Sequence, residues 1–161
     1  MPFPPDVLTA LIDEAIDEAR VAPTHDDVPV GALVVRRSDG AVLARRHNER
    51  ELTGDPTAHA EVLALRDAAR ALGTSRLDGC VLVSTLEPCP LCAGAALLAR
   101  VDAVVFGAAD PKAGALGSLY HLGADPRLNH EIAVHPGIRA DECATLLRDF
   151  FAARRTGDDR P

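Results

Sequence analysis

His59, Cys89 and Cys92 are residue types that bind zinc, and they stand with one carboxylate in two short segments, His59-Ala60-Glu61 and Pro88-Cys89-Pro90-Leu91-Cys92. Three protein ligands leave one of zinc's four tetrahedral positions open to water, which separates a catalytic zinc from a closed structural one. A carboxylate beside that position can carry protons for a hydrolysis. Two thiolates and a neutral imidazole formally cancel the metal's double charge, so water is acidified less than at an all-imidazole site and a nearby base is needed. Glu61 can be that base. Residues two apart on a regular helix point about 200° from each other, so His59 must stand at the entrance of its helix if both side chains are to face one centre.

Two other uses of these residues remain open at this level. In a structural zinc site, Cys80 or another histidine would be a fourth ligand and Glu61 a surface residue. In a thioredoxin-like pair, Cys89 and Cys92 would do redox chemistry, which leaves His59 and Glu61 unexplained. Cys80 lies in the apolar run Cys80-Val81-Leu82-Val83 and Cys143 in a helical pattern, so both read as core residues.

The elements that must position these groups follow from periodicity. Leu8, Leu11, Ile12, Ala15, Ile16 and Ala19 recur at three- and four-residue steps, predicting an amphipathic helix that starts near Asp6. Residues 30–35 and 41–44 read as two antiparallel strands joined by Ser38-Asp39-Gly40. A second helix enters near Asp55-Pro56-Thr57 and runs through Val62, Leu63, Leu65 and Leu72 to Gly73. A strand at 80–85 leads to a helix with Pro90 in its first turn, where proline's missing N–H costs nothing. The positive end of that helix favours thiolates at Cys89 and Cys92. Residues 104–106 form a fourth strand, 131–135 a fifth, and Asp141 opens a last helix bearing Leu146, Leu147, Phe150 and Phe151. Helices alternating with strands imply a layered α/β fold. Residues 1–155 read as one domain and 156–161 as a disordered tail.

The chain has 161 residues, 47% of them apolar, enough for a core without disulfides. Acids at 13, 14, 17 and 18 interrupt the first apolar stretch and no run is long enough to span a bilayer, so the expectation is a cytoplasmic protein with no membrane contact. The net charge of −7 is uneven: residues 1–30 hold seven acids and one base, while the remaining 131 are near neutral. Acidity therefore does not exclude an RNA partner. Arg36, Arg37, Arg45, Arg46 and Arg50 read either as a local RNA-facing surface or as a solvated face.

The H-x-E and P-C-x-x-C segments together are the signature of zinc nucleobase deaminases. From Val28-Pro29-Val30-Gly31-Ala32, through Asp55-Pro56-Thr57-Ala58-His59-Ala60-Glu61, to Thr85-Leu86-Glu87-Pro88-Cys89, the chain resembles the bacterial tRNA-specific adenosine deaminases. The similarity continues through Val104-Val105-Phe106-Gly107-Ala108, Gly117-Ser118-Leu119, Asn129-His130, Asp141-Glu142-Cys143 and Asp149-Phe150-Phe151, covering roughly residues 7 to 155. This resemblance implies a cytidine deaminase-like three-layer α/β/α fold, a mixed five-stranded sheet flanked by helices. It also implies a homodimer that binds one zinc per subunit and converts the wobble adenosine of a tRNA anticodon stem-loop, that of an arginine tRNA, to inosine. The water would be activated by zinc, with Glu61 as proton shuttle and His59, Cys89 and Cys92 as ligands. Asn48, the backbone of Ala60 and Phe151 would contact the substrate, and Asp110 would lie near the neighbouring ribose. Read without the resemblance, Asn48 and Asp110 are turn residues.

Two departures from the family pattern stand out. Ala109 occupies the position usually held by arginine, removing a phosphate contact, and the paired phenylalanines run into Ala152-Ala153-Arg154-Arg155 and an acidic tail. The core motif is also shared with deaminases of free guanine, cytosine and nucleosides, which forms the alternative reading. A non-catalytic zinc-stabilised RNA-binding module is a third. The small, apolar stretch Gly94-Ala95-Ala96-Leu97-Leu98 suits helix packing across a dimer.

Overall fold

The apolar runs of the sequence pair into one mixed sheet in the computed structural model, which describes residues 1–158. Its strands are β1 (Gly31–Arg36), β2 (Val42–His47), β3 (Cys80–Leu86), β4 (Ala103–Ala108) and β5 (Ala133–Pro136), in the order β2-β1-β3-β4-β5. β1 runs antiparallel to both β2 and β3, whereas β3–β4 and β4–β5 are parallel. Parallel neighbours require a crossover. Between β3 and β4 that crossover is helix α4 (Pro90–Ala99), which places Cys89 and Cys92 at the C-terminal end of β3.

Helices cover both faces of the sheet. Leu33, Val35, Val81, Val83 and Val105 pack toward α1 (Pro5–Ala19) and α5 (Ala140–Asp158). Their strand neighbours Ala32, Val34, Leu82, Val104 and Phe106 pack toward α3 (Ala60–Leu72) and α4. This period-2 division with both sides buried gives the expected three layers. Burying each Val or Leu contributes about 1.5–3 kcal/mol, so a one-residue slip would exchange the two faces at large cost. Gly31 lets α1 approach β1 closely, since a Cβ there would collide with the Ala15 carbonyl.

Most element boundaries fall within a few residues of expectation. Gly73 ends α3 in the left-handed region, at φ 68°. α3 itself begins later than expected, because Asp55 Oδ1 accepts from the Thr57 N–H and hydroxyl and holds that segment in a turn outside the helix. The short helix α2 (Arg50–Thr53) was not foreseen; four residues carry no readable period. α5 continues to Asp158, so residues 156–158 of the expected tail are helical, while 159–161 lie outside the described residues. Cys80 and Cys143 are buried, one in each core, as expected. No helix among the described residues is long and apolar enough to cross a membrane.

The arginine cluster resolves mainly into ion pairs. Arg36 pairs with Asp39, Arg37 with Asp102, Arg45 with Glu14 of the acidic α1, and Arg46 with Glu49 and Asp67. Arg50 alone of the five has no ion-pair partner among the described residues, and it lines the cleft described next.

Candidate active site

His59 is the residue that caps the start of α3, with extended backbone at φ −74° and ψ 146°. Cys89 does the same for α4, with Pro90 at the first helical position. The geometric requirement read from the H-x-E spacing is thus met: His59 lies just outside the helix and Glu61 in its first turn. Two helix N-termini converge on one point, and their positive ends favour anionic sulfur there.

The three donor atoms are spaced as a tetrahedral zinc needs. Cys89 Sγ and Cys92 Sγ are 3.6 Å apart, and they lie 3.6 and 3.4 Å from His59 Nδ1. Ligand bonds of about 2.3 Å to sulfur and about 2.0–2.1 Å to nitrogen place tetrahedral neighbours about 3.8 Å (S to S) and about 3.6 Å (S to N) apart. These residues therefore fit the ion, and no fourth His, Cys, Asp or Glu joins the cluster among the described residues. The hydrogen bond with Cys92 holds the Cys89 thiol down at about 4, with His59 adding to it and burial opposing. Cys92 is pushed up, by its hydrogen bond to Cys89 and by burial.

Glu61 is 4% exposed, and burial pushes its carboxyl above the ordinary range. It shares with His59, Cys89, Asn48 and Asp110 the lining of a cleft of about 210 Å³. Asn48 is fully engaged: its Nδ2 donates to the Val28 carbonyl (3.1 Å), and its Oδ1 accepts from the Ala60 N–H (2.9 Å). Of the Ala60 backbone, expected to contact substrate, the N–H is bonded to Asn48 at the start of α3. Asn48 borders the cleft while satisfying a helix N-terminus that His59's side chain leaves open.

Asp110 lies where the cleft meets a wider groove of about 960 Å³, which also shares Val28 and Leu86 with it. Phe151 lines only that outer groove, at 43% exposure, and is not in contact with the zinc-site cleft. Ala109 lines the groove as well, and its charged lining is Lys112, Arg148 and Arg155 together with the acids Asp110 and Asp149. Two further residues were not found from the sequence. Arg154 reaches the cleft from α5, donating to the Asp26 carbonyl (2.7 Å) with its guanidinium 4.7 Å from the Phe150 ring centre. Glu87 is 2% exposed, and its carboxylate accepts from three backbone N–H groups. Burial alone would push that carboxyl up, but bonds from the Ser118 hydroxyl and the Asp110, Ser118 and Leu116 N–H groups hold it below its ordinary value. Its one legible signal was an acid directly preceding Pro88-Cys89 at the end of an apolar strand.

Residues 6–108 match the cytidine and deoxycytidylate deaminase zinc-binding region. The chain is 48% identical over 142 residues to the tRNA-specific adenosine deaminase of Bacillus subtilis (strain 168), covering 88% of this chain and 87% of that protein. It is also 48% identical over 160 residues to the tRNA(Ile)-lysidine synthase of Deinococcus radiodurans, matching 99% of this chain but 27% of that longer protein. A solved structure from work on A-to-I editing by tRNA:A34 deaminases superposes with a TM-score of 0.82 at 42% identity, over 86% of this chain and 99% of that one. The guanine deaminase of Nitrosomonas europaea superposes with a TM-score of 0.75 at 30% identity, over 89% and 84%.

Proposed function

For a chain that belongs to the cytidine and deoxycytidylate deaminase zinc-binding family, we propose hydrolytic deamination of adenosine to inosine at the wobble position of a tRNA anticodon. The observation that carries the substrate is the continuity of the cleft at Asp110 with a larger groove lined by three basic and two acidic side chains. One extruded base would enter the cleft while flanking phosphates meet Lys112, Arg148 and Arg155. The greater likeness to the tRNA deaminases than to guanine deaminase, in both identity and TM-score, supports the same choice.

His59, Cys89 and Cys92 would hold the zinc. Bound there, the ion supplies a Lewis-acidic centre that makes water nucleophilic. Glu61 accepts a proton from the attacking water and passes it to the purine ring nitrogen beside the reacting carbon, then takes the second proton from the newly added hydroxyl and gives it to the departing amino group. Water and adenosine become inosine and ammonia, and Glu61 ends as it began. Its raised pKa suits a group that must both take and release a proton. Asn48 holds the entrance of α3 in register, and Asp110 borders the position where the neighbouring ribose would lie.

Zinc-loaded protein incubated with an arginine tRNA bearing a wobble adenosine is expected to yield inosine at that position. Persistent adenosine would reject this reading, and ammonia release from free guanine or adenosine without RNA would favour the free-base alternative. A homodimer also belongs to the proposal. Leu91 and Leu98, 41% and 85% exposed, lie about two turns apart on one face of α4 with half-buried Gly94 and Ala95 between them, whereas Ala96 turns into the core. Light scattering at micromolar concentration is expected to report a dimer, and Leu98→Glu a monomer.

A further inference from the structure

We infer that Glu87 is a positioning residue that ties the substrate-facing wall at Asp110 and Ala113 to the turn bearing Cys89, and so sets how tightly the polynucleotide is held. The inference rests on the deaminase reading above. Glu87 follows directly on β3, two residues before Cys89. Its carboxylate accepts from the N–H groups of Asp110 (3.0 Å), Leu116 (3.1 Å) and Ser118 (3.0 Å), and from the Ser118 hydroxyl. Four donors match the acceptor capacity of an ionised carboxylate.

The backbone on either side joins the same clamp. The Glu87 N–H donates to the Ala108 carbonyl (2.8 Å), and the Ala115 N–H donates to the Pro88 carbonyl (2.9 Å). The segment that follows β4 has little regular structure, yet Gly114, Ala115 and Leu116 are buried, so their polar backbone must find partners elsewhere. Gly114 crosses directly over the carboxylate, where a Cβ would collide with it; only glycine permits this approach. Asp110 Oδ1 in turn accepts from the N–H groups of Lys112 (2.9 Å) and Ala113 (3.2 Å), fixing the turn that presents Asp110 and Ala113 to the cleft. An amide at position 87 would replace an acceptor oxygen with an N–H donor facing other donors.

The clamped segment supplies the wall and none of the zinc donors. The turn of α4 that carries Cys89 and Cys92 is held by its own helical bond from the Ala93 N–H to the Cys89 carbonyl (2.8 Å). Releasing the wall therefore weakens substrate positioning while the zinc donors stay in place. In Glu87→Gln, the zinc content is expected to equal the wild type, KM for an anticodon stem-loop to rise about tenfold, and kcat to change less than about threefold. Hydrogen exchange at the Asp110, Leu116 and Ser118 amides is expected to accelerate in the same variant. Ser118→Ala, which removes one donor from an exposed loop residue, is expected to raise KM about two- to threefold and to add little when combined with Glu87→Gln. Faster exchange at those amides with an unchanged KM would overturn the inference, as would a kcat loss that tracks lost zinc. Should Glu87→Gln not fold, Ser118→Ala decides: a raised KM at full zinc content supports the clamp, and an unchanged KM rejects it. Wild-type protein inactive on the stem-loop would instead strike the deaminase reading.

Discussion

Two polar regions flank β1 and handle charge in opposite ways. Along the β1–β2 edge, arginines meet acids at short range: Arg36 with Asp39, Arg45 with Glu14, and Arg46 with Glu49 and Asp67. At the far end of β3, His59, Glu61, Cys89 and Cys92 gather with no ion pair to an arginine or lysine among the described residues, although Arg50 and Arg154 line the same cleft. Cancelled pairs at a surface contribute little and leave nothing for a ligand to bind. Buried groups held by helix ends keep perturbed proton affinities, and such groups can do chemistry. The difference locates function at the sheet end rather than on the more highly charged edge.

Removing the metal tests the sheet end most severely. Dialysis against a chelator, or Cys89→Ala, is expected to abolish deamination and to lower the melting temperature, as read by ammonia release and calorimetry; activity that survived full zinc loss would erase the contrast. Glu61→Gln is expected to keep zinc, measured by metal analysis, while kcat falls about 10²–10⁴-fold, the range of a lost general acid–base group. Asn48→Ala strips the Ala60 N–H of its acceptor, and denaturant unfolding is expected to show about 1–2 kcal/mol less stability together with a raised KM. Arg50→Ala, the cleft-facing exception among the five arginines, is expected to raise KM for RNA a few-fold and to shallow its salt dependence by about one phosphate contact. On the other side of the comparison, Arg45→Ala is expected to change stability by no more than about 0.2–1 kcal/mol and to leave the kinetics unaltered. A large effect there would mean the edge is more than a neutralised surface.

Local spacing made the central chemistry readable. The H-x-E interval demands a histidine at a helix entrance, and His59 stands there; Pro90 after Cys89 marks another helix start, and α4 begins there. The layered alternation of helices and strands was legible for a similar reason, since apolar residues at steps of two or three to four report which face each element buries, while the three-layer arrangement was implied by the family resemblance. Other roles had no local signature. Asn48 looks like a turn residue until its amide is seen bonding Val28 and Ala60, 20 and 12 residues away. Glu87 acts on a loop beginning 23 residues downstream. Phe151 belongs to an outer groove because the direction of α5 is set by what it packs against, not by its neighbours in sequence.

By itself the amino-acid order pointed to His59, Cys89 and Cys92 as candidate ligands, to Glu61 as the carboxylate beside them and to the alternation of helices with strands, because each is signalled by spacing within a short segment: H-x-E, C-x-x-C or an apolar period. Tertiary structure decided which arginines are neutralised, that the Asn48 side chain accepts from the Ala60 N–H at the start of α3, which side of α4 faces outward and that Glu87 clamps the cleft wall. Those outcomes depend on strand order and helix placement, which bring together groups far apart in the chain, and burial then forces each polar atom among them to find a partner.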